Sequence, residues 1–169
     1  MLQFDLRELA SGPVDTAAQL GADDPLFEGL GVALTGPVRV SGRLQAAGAG
    51  RFYWKGSLRA QVGGECRRCL APVPLTVTAD IRALFTEDPD AQEDPDSYPL
   101  AHDATQVDLR PAVREELLLA VPPWVVCREG CRGLCPRCGK DLNAGPCGCP
   151  PARDPRWQVL AALKGKPRD

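Results

Sequence analysis

The sequence predicts an α+β fold: a small antiparallel β-sheet core carrying one packing helix, then a C-terminal all-cysteine module that ends in a short helix. Three observations lead there. Apolar and polar side chains alternate over residues 38–44 and 52–62, and residues 73–84 have the same β-branched character, the pattern of half-buried strands. Glycine and proline number 17 each in 169 residues, more than a helix bundle tolerates. Six of the eight cysteines fall within residues 127–149, where short loops can return several sulfurs to one point.

Taken in order, residues 5–10 suit a short helical turn closed by Gly12 and Pro13. The three strands follow, joined by turns at 46–50 and 63–72, and the second turn carries Cys66-Arg-Arg-Cys69 at a sheet end. Phe52 and Trp54 share the core face of their strand and leave Tyr53 outward. From Thr86 to Asp108 there are eight acidic residues and no lysine or arginine, and with Pro89, Pro95 and Pro99 this run reads as an exposed loop. Asp108 is placed to cap a helix over 109–121, with Pro111 in the first turn and Pro122-Pro123 ending it. Leu109, Val113, Leu117 and Ala120 give that helix one apolar face. Asp154-Pro155 opens a last helix, docked through Trp157, Leu160, Ala161 and Leu163. The expected division is a β-rich core domain over 1–126 and a zinc-binding module with its helix over 127–169.

The cysteines run Cys127-x3-Cys131-x3-Cys135-x2-Cys138-x8-Cys147-x-Cys149, with Cys66-x2-Cys69 upstream. Eight thiolates suit two four-coordinate sites. Keeping neighbouring pairs together assigns Cys66, Cys69, Cys127 and Cys131 to one metal, and Cys135, Cys138, Cys147 and Cys149 to another. The rival division is a single site within 127–149. Pro136 fixes one backbone angle, and Gly139 can adopt the positive φ that turns N–H groups toward sulfur. Zinc, one or two ions per chain in a structural role, fits such ligands best, and a small iron–sulfur cluster is the competitor. Disulfides are not expected, since the first residues lack the pattern of a secretory leader. Cys66 and Cys69, flanked by Arg67 and Arg68, also suit a redox pair.

No apolar run approaches the roughly 20 residues of a membrane span, so the expectation is a cytoplasmic protein with no membrane partner. Catalytic signals are few. His102 stands in the acidic loop without a nucleophile beside it, and no phosphate-binding glycine loop or nucleophile elbow occurs. All-cysteine sites are usually closed, so the chain reads as non-enzymatic and without a small-molecule substrate. Binding is the better class. Arg67, Arg68, Arg128, Arg132, Arg137 and Lys140 interleave with the cysteines and would present cations to RNA phosphates. The acidic loop would instead suit a basic protein.

Cys66-Arg-Arg-Cys69-Leu70, Val107-Asp-Leu109, Val113-Arg-Glu-Glu-Leu-Leu-Leu-Ala-Val-Pro122, Cys131-Arg-Gly-Leu-Cys-Pro-Arg-Cys-Gly-Lys-Asp-Leu-Asn143 and Asp154-Pro-Arg-Trp-Gln-Val-Leu-Ala-Ala-Leu-Lys164 together resemble the YceD family. The resemblance implies a ribosome biogenesis role in accumulation of large-subunit ribosomal RNA. That RNA, a large-subunit ribosomal protein, or both are then the expected partners. A reading from another class is a thiol-based redox or metal-responsive regulator using Cys66 and Cys69.

Overall fold

The computed structural model describes residues 2–88, 90 and 96–150. The expected helix from Asp154 lies outside the described residues, as do Pro89 and Pro95 of the acidic run. The main sheet is built from β2 (Val14–Leu20), β3 (Ala33–Leu34), β4 (Val38–Ala46), β5 (Arg51–Glu65), β6 (Pro72–Thr86) and β7 (Ser97–Pro99). Its strand order is β2-β4-β5-β6-β7, with β3 paired to β5. All its pairs are antiparallel except β6 with β7. A two-stranded ribbon, β1 (Gln3–Asp5) with β8 (Gln106–Asp108), holds the N-terminal residues against the start of α1 (Arg110–Ala120).

The sheet is thus the predicted antiparallel core, and the strands run beyond their expected ends. Gly63 and Gly64 read as turn residues in sequence. In the fold they stay in the ladder opposite Pro74 and Val73, so β5 and β6 extend as a rigid arm whose tip is the Cys66–Cys69 turn. Strand β2 carried little signal, because Thr16 and Ala18 are weak apolar marks at its inward positions. The expected turn at 5–10 is a short 3-10 helix over Glu8–Ser11.

One face of the sheet is the core. Val38, Val40 and Leu44 of β4, Trp54, Leu58 and Ala60 of β5, and Val77, Ile81 and Ala83 of β6 point inward, as strict alternation requires. Helix α1 covers this face with Ala112, Val113 and Leu117. It is one residue shorter at each end than expected. Asp108 does satisfy an orphan N–H, that of Arg110 at 3.0 Å, but Leu109 already has helical angles and occupies the cap position itself. The opposite face of β2, β4, β5 and β6 has no element over it among the described residues.

Trp54 sits fully buried at the centre of the core face and donates from Nε1 to Thr16 Oγ1 at 3.0 Å. Gly42 and Gly56 face each other across β4 and β5 and make room for its ring: a Cβ on Gly56 would lie 2.7 Å from the indole. Phe52 packs at the edge of the same cluster.

Candidate metal centres

Two turns of the same shape build the candidate sites. In Cys66-Arg-Arg-Cys69-Leu70, the Leu70 N–H donates to the Cys66 carbonyl at 2.8 Å and the Cys66 N–H to the Ala71 carbonyl at 2.8 Å. In Cys135-Pro-Arg-Cys138-Gly139, Gly139 donates to Cys135 at 2.9 Å and Cys135 to Lys140 at 2.8 Å. The fifth residue of each turn is left-handed, Leu70 at φ 60° and Gly139 at φ 71°. Glycine adopts that angle freely, whereas in leucine it costs roughly 1 kcal/mol. Leu70 is also 60 % exposed, so its side chain gains little burial in return.

These turns point main-chain N–H groups at sulfur. Main-chain N–H groups of Cys127, Arg68 and Cys69 directed toward its sulfur favour the Cys66 thiolate and hold the thiol down at about 6. The Cys138 and Arg137 N–H groups hold Cys135 at about 6 in the same way. Local desolvation by the surrounding loop, reinforced by neighbouring sulfurs, pushes Cys127 up to about 12 although the residue is exposed, and the Cys138 sulfur followed by the same desolvation pushes the half-exposed Cys149 up to about 12. Each cluster therefore favours some thiolates and resists a full set, which is the charge imbalance that a bound cation relieves.

The structure brings the eight cysteines into two groups, Cys66 with Cys69, Cys127 and Cys131, and Cys135 with Cys138, Cys147 and Cys149. The sulfurs of each group lie within 4.8 Å of one another. Four sulfurs at about 2.3 Å from one tetrahedral ion would be about 3.8 Å apart. The observed Cys66–Cys131 and Cys69–Cys127 separations are 3.8 and 3.7 Å, and Cys135–Cys147 is 3.3 Å. All are far beyond a disulfide bond of about 2.0 Å. An iron–sulfur cube would force its ligands well apart, so both tetrads fit a single thiophilic ion. The first joins the tip of the sheet arm to the segment after α1, drawing one ligand pair from each side of residue 126.

The two centres are coupled. Gly133, buried at φ 71°, lets the tail loop lie on the first turn: Leu134 donates to the Arg68 carbonyl at 2.9 Å, and a Cβ on Gly133 would meet that oxygen at 2.7 Å. Asn143, in the loop between Cys138 and Cys147, accepts from the Arg132 N–H at 2.9 Å and sends its amide to the Cys131 sulfur at 3.6 Å and to Asp141 at 2.7 Å. Neither residue has a ligand-spacing signature in the sequence. Loss of an outer partner of a ligand commonly weakens metal binding about 10- to 100-fold. Asn143→Ala is accordingly expected to lower affinity at the first site by about that factor in a competitive chelator titration, with the second site unchanged.

The cations singled out in the sequence are divided in role. Arg68, though exposed, donates to the carbonyls of Glu129 at 3.1 Å and Cys131 at 2.9 Å, and the exposed Lys140 donates to the Pro146 carbonyl at 3.0 Å. Arg67 lies over the exposed Trp124 ring, 4.7 Å from its centroid. Arg128, Arg132 and Arg137 are exposed. The lone histidine, His102, pairs with Glu87 at 2.8 Å on the surface. No helix among the described residues is long and apolar enough to cross a membrane.

A β-sheet arm closed onto its tail by paired four-cysteine sites defines a small protein with two candidate metal centres. Residues 54–164 match the family described as large ribosomal RNA subunit accumulation protein YceD, and the chain belongs to that family. It is 36% identical over 118 residues to an uncharacterized protein of Mycobacterium tuberculosis, covering 68% of this chain and 56% of the relative. A second similar protein is the large ribosomal RNA subunit accumulation protein YCED homolog 1, chloroplastic, of Zea mays, 29% identical over 180 residues that cover 88% of this chain and 60% of the relative. An uncharacterized protein of Mycobacterium leprae is 32% identical over 112 residues, 64% of this chain and 51% of the relative. The chain thus spans a little over half the length of the curated relatives it matches. No solved structure matches it.

Proposed function

We propose that this chain is a non-enzymatic, cytoplasmic ribosome biogenesis factor. It supports accumulation of large-subunit ribosomal RNA by binding that RNA, a large-subunit ribosomal protein, or both, with one structural zinc ion in each tetrad. The observation that carries this reading is the family match over residues 54–164, which contains all eight cysteines. Zinc is favoured by the all-sulfur donor set and the single-ion spacing, and closed sites of this kind act as folding staples. The redox alternative has less support. A sensing thiol needs access, whereas Cys66 is fully buried and shares its cluster with Cys131.

The test is cross-linking in cells, with sequencing of captured RNA and identification of captured protein, beside depletion of the chain. The expected result is enrichment of large-subunit ribosomal RNA or one of its proteins, and a fall in that RNA relative to small-subunit RNA. An unchanged ratio with neither partner captured would sink the proposal. Metal analysis should return two zinc ions per chain; iron with visible absorption would replace zinc in the reading.

A further inference from the structure

The face of the main sheet that no element among the described residues covers carries a charge pattern that strand alternation sets and that no single stretch of sequence displays. The strand register places Arg43 directly opposite Lys55, and Lys55 opposite Arg82, so three cations stand side by side on β4, β5 and β6. Four residues along β4, Arg39 stands opposite Arg59. All five side chains are exposed. Between these rows runs a line of small residues, Ala17, Ser41 and Ser57, ending at Asp80. They floor a shallow trough of ≈ 750 Å³ with Arg39 and Arg59 on its wall. At about 3.3 Å per residue the two cation rows are about 13 Å apart.

Like charges directly opposite one another weaken a sheet. The acids on this face do little to offset them. Asp15 reaches only Arg43, at 3.7 Å, and no other ion pair joins these cations among the described residues. An uncompensated row of this kind is expected where the missing counter-charge belongs to a partner. Tyr53 continues the same face next to Lys55 and adds an aromatic surface on which a base can stack.

The cations around the cysteines make a poorer anion surface. Two four-thiolate sites, each holding a divalent ion, carry a formal charge of about −2 apiece. That offsets much of the charge on Arg67, Arg128, Arg132 and Arg137, and the side chains of Arg68 and Lys140 already bond to main-chain carbonyls. Near its two cation rows the sheet face carries Asp15 and Asp80 against five cations.

We propose that the exposed face of β2, β4, β5 and β6 binds the phosphate backbone of RNA, with the rows Arg43–Lys55–Arg82 and Arg39–Arg59 on either side of the strand and Tyr53 stacking an unpaired base. This inference rests on the RNA half of the proposed function and assigns it a surface. The test uses the full chain with its metal and two probes, a labelled oligouridylate and labelled large-subunit ribosomal RNA, titrated across a salt series. A sheet variant, Arg43→Gln with Lys55→Gln and Arg82→Gln, is compared with a cysteine-region variant, Arg67→Gln with Arg128→Gln, Arg132→Gln and Arg137→Gln.

Each phosphate contact to a single strand contributes about 0.7 to the log–log salt slope. The sheet variant is therefore expected to bind the oligouridylate with a slope shallower by about 2, at unchanged metal content and an equal or higher melting temperature. An unchanged slope in the sheet variant, with wild-type protein binding normally, overturns the sheet assignment but leaves the RNA reading standing. If wild-type protein binds neither probe, the RNA reading itself fails. If the sheet variant loses capture of an acidic protein while its RNA affinity holds, the face belongs to that protein and the RNA assignment is wrong.

Discussion

Removing metal from this protein in reducing buffer is expected to leave β2, β4, β5 and β6 folded and to release residues 127–149 from fixed structure. The reason lies in what orders that segment. Of its residues only Cys131, Gly133 and Cys135 are buried, so burial supplies little of its folding free energy. Main-chain hydrogen bonds such as Leu134 to Arg68 and Leu142 to Gly133 each contribute only about 0.5–1.5 kcal/mol net. Structural zinc in comparable small modules contributes apparent binding energies of about 10–16 kcal/mol, which is folding energy for a segment without its own core. Amide dispersion and limited proteolysis across residues 127–149 should therefore collapse on chelation and return with zinc. Cys138→Ser is expected to empty the second site alone. Cys66→Ser should have the wider effect, because its tetrad also fastens the tail to the sheet arm. Full dispersion and protease resistance in metal-free protein would refute a structural metal.

The division of the cysteines could be read from spacing because ligand pairs separated by short turns remain together in space, whatever fold surrounds them. The strands were legible for a related reason: alternation in β4, β5 and β6 records which face is buried. What the sequence hid depends on register. Arg43, Lys55 and Arg82 are far apart along the chain and become neighbours only when three strands align. The obvious cations lay instead beside the cysteines, where two of them bond to main-chain carbonyls. Gly133 and Asn143 were invisible for a similar reason. Each acts through the approach of one loop to another, and nothing local marks a glycine that clears a carbonyl or an amide that reaches a distant sulfur. Asp108 was nearly legible: it bonds the N–H it was expected to cap, with the helix boundary displaced by one residue.

Trp54→Ala is expected to cost about 3–5 kcal/mol, the usual loss when a large aromatic side chain is cut from a core. Against a typical total stability of about 5–15 kcal/mol, that leaves the sheet marginal or unfolded. The site has little capacity to collapse. Trp54 is fully buried, its neighbours across the strands are Leu44 and Ala83, and the ring occupies space kept open by Gly42 and Gly56. Its removal also leaves Thr16 Oγ1, itself buried, without the Nε1–H it accepts. Trp54→Phe separates the two contributions, since it keeps most of the ring volume and loses the hydrogen bond, and is expected to cost about 1–3 kcal/mol. Gly56→Ala attacks the same contact from the other side: a methyl 2.7 Å from the indole must displace it, at about 1–3 kcal/mol by overpacking. Urea denaturation followed by far-ultraviolet circular dichroism, with zinc present throughout, ranks the three variants without relying on tryptophan fluorescence. A Trp54→Ala protein within about 1 kcal/mol of wild type would mean that the indole fills a gap the strands can close, and that the glycine pair serves some purpose other than seating it.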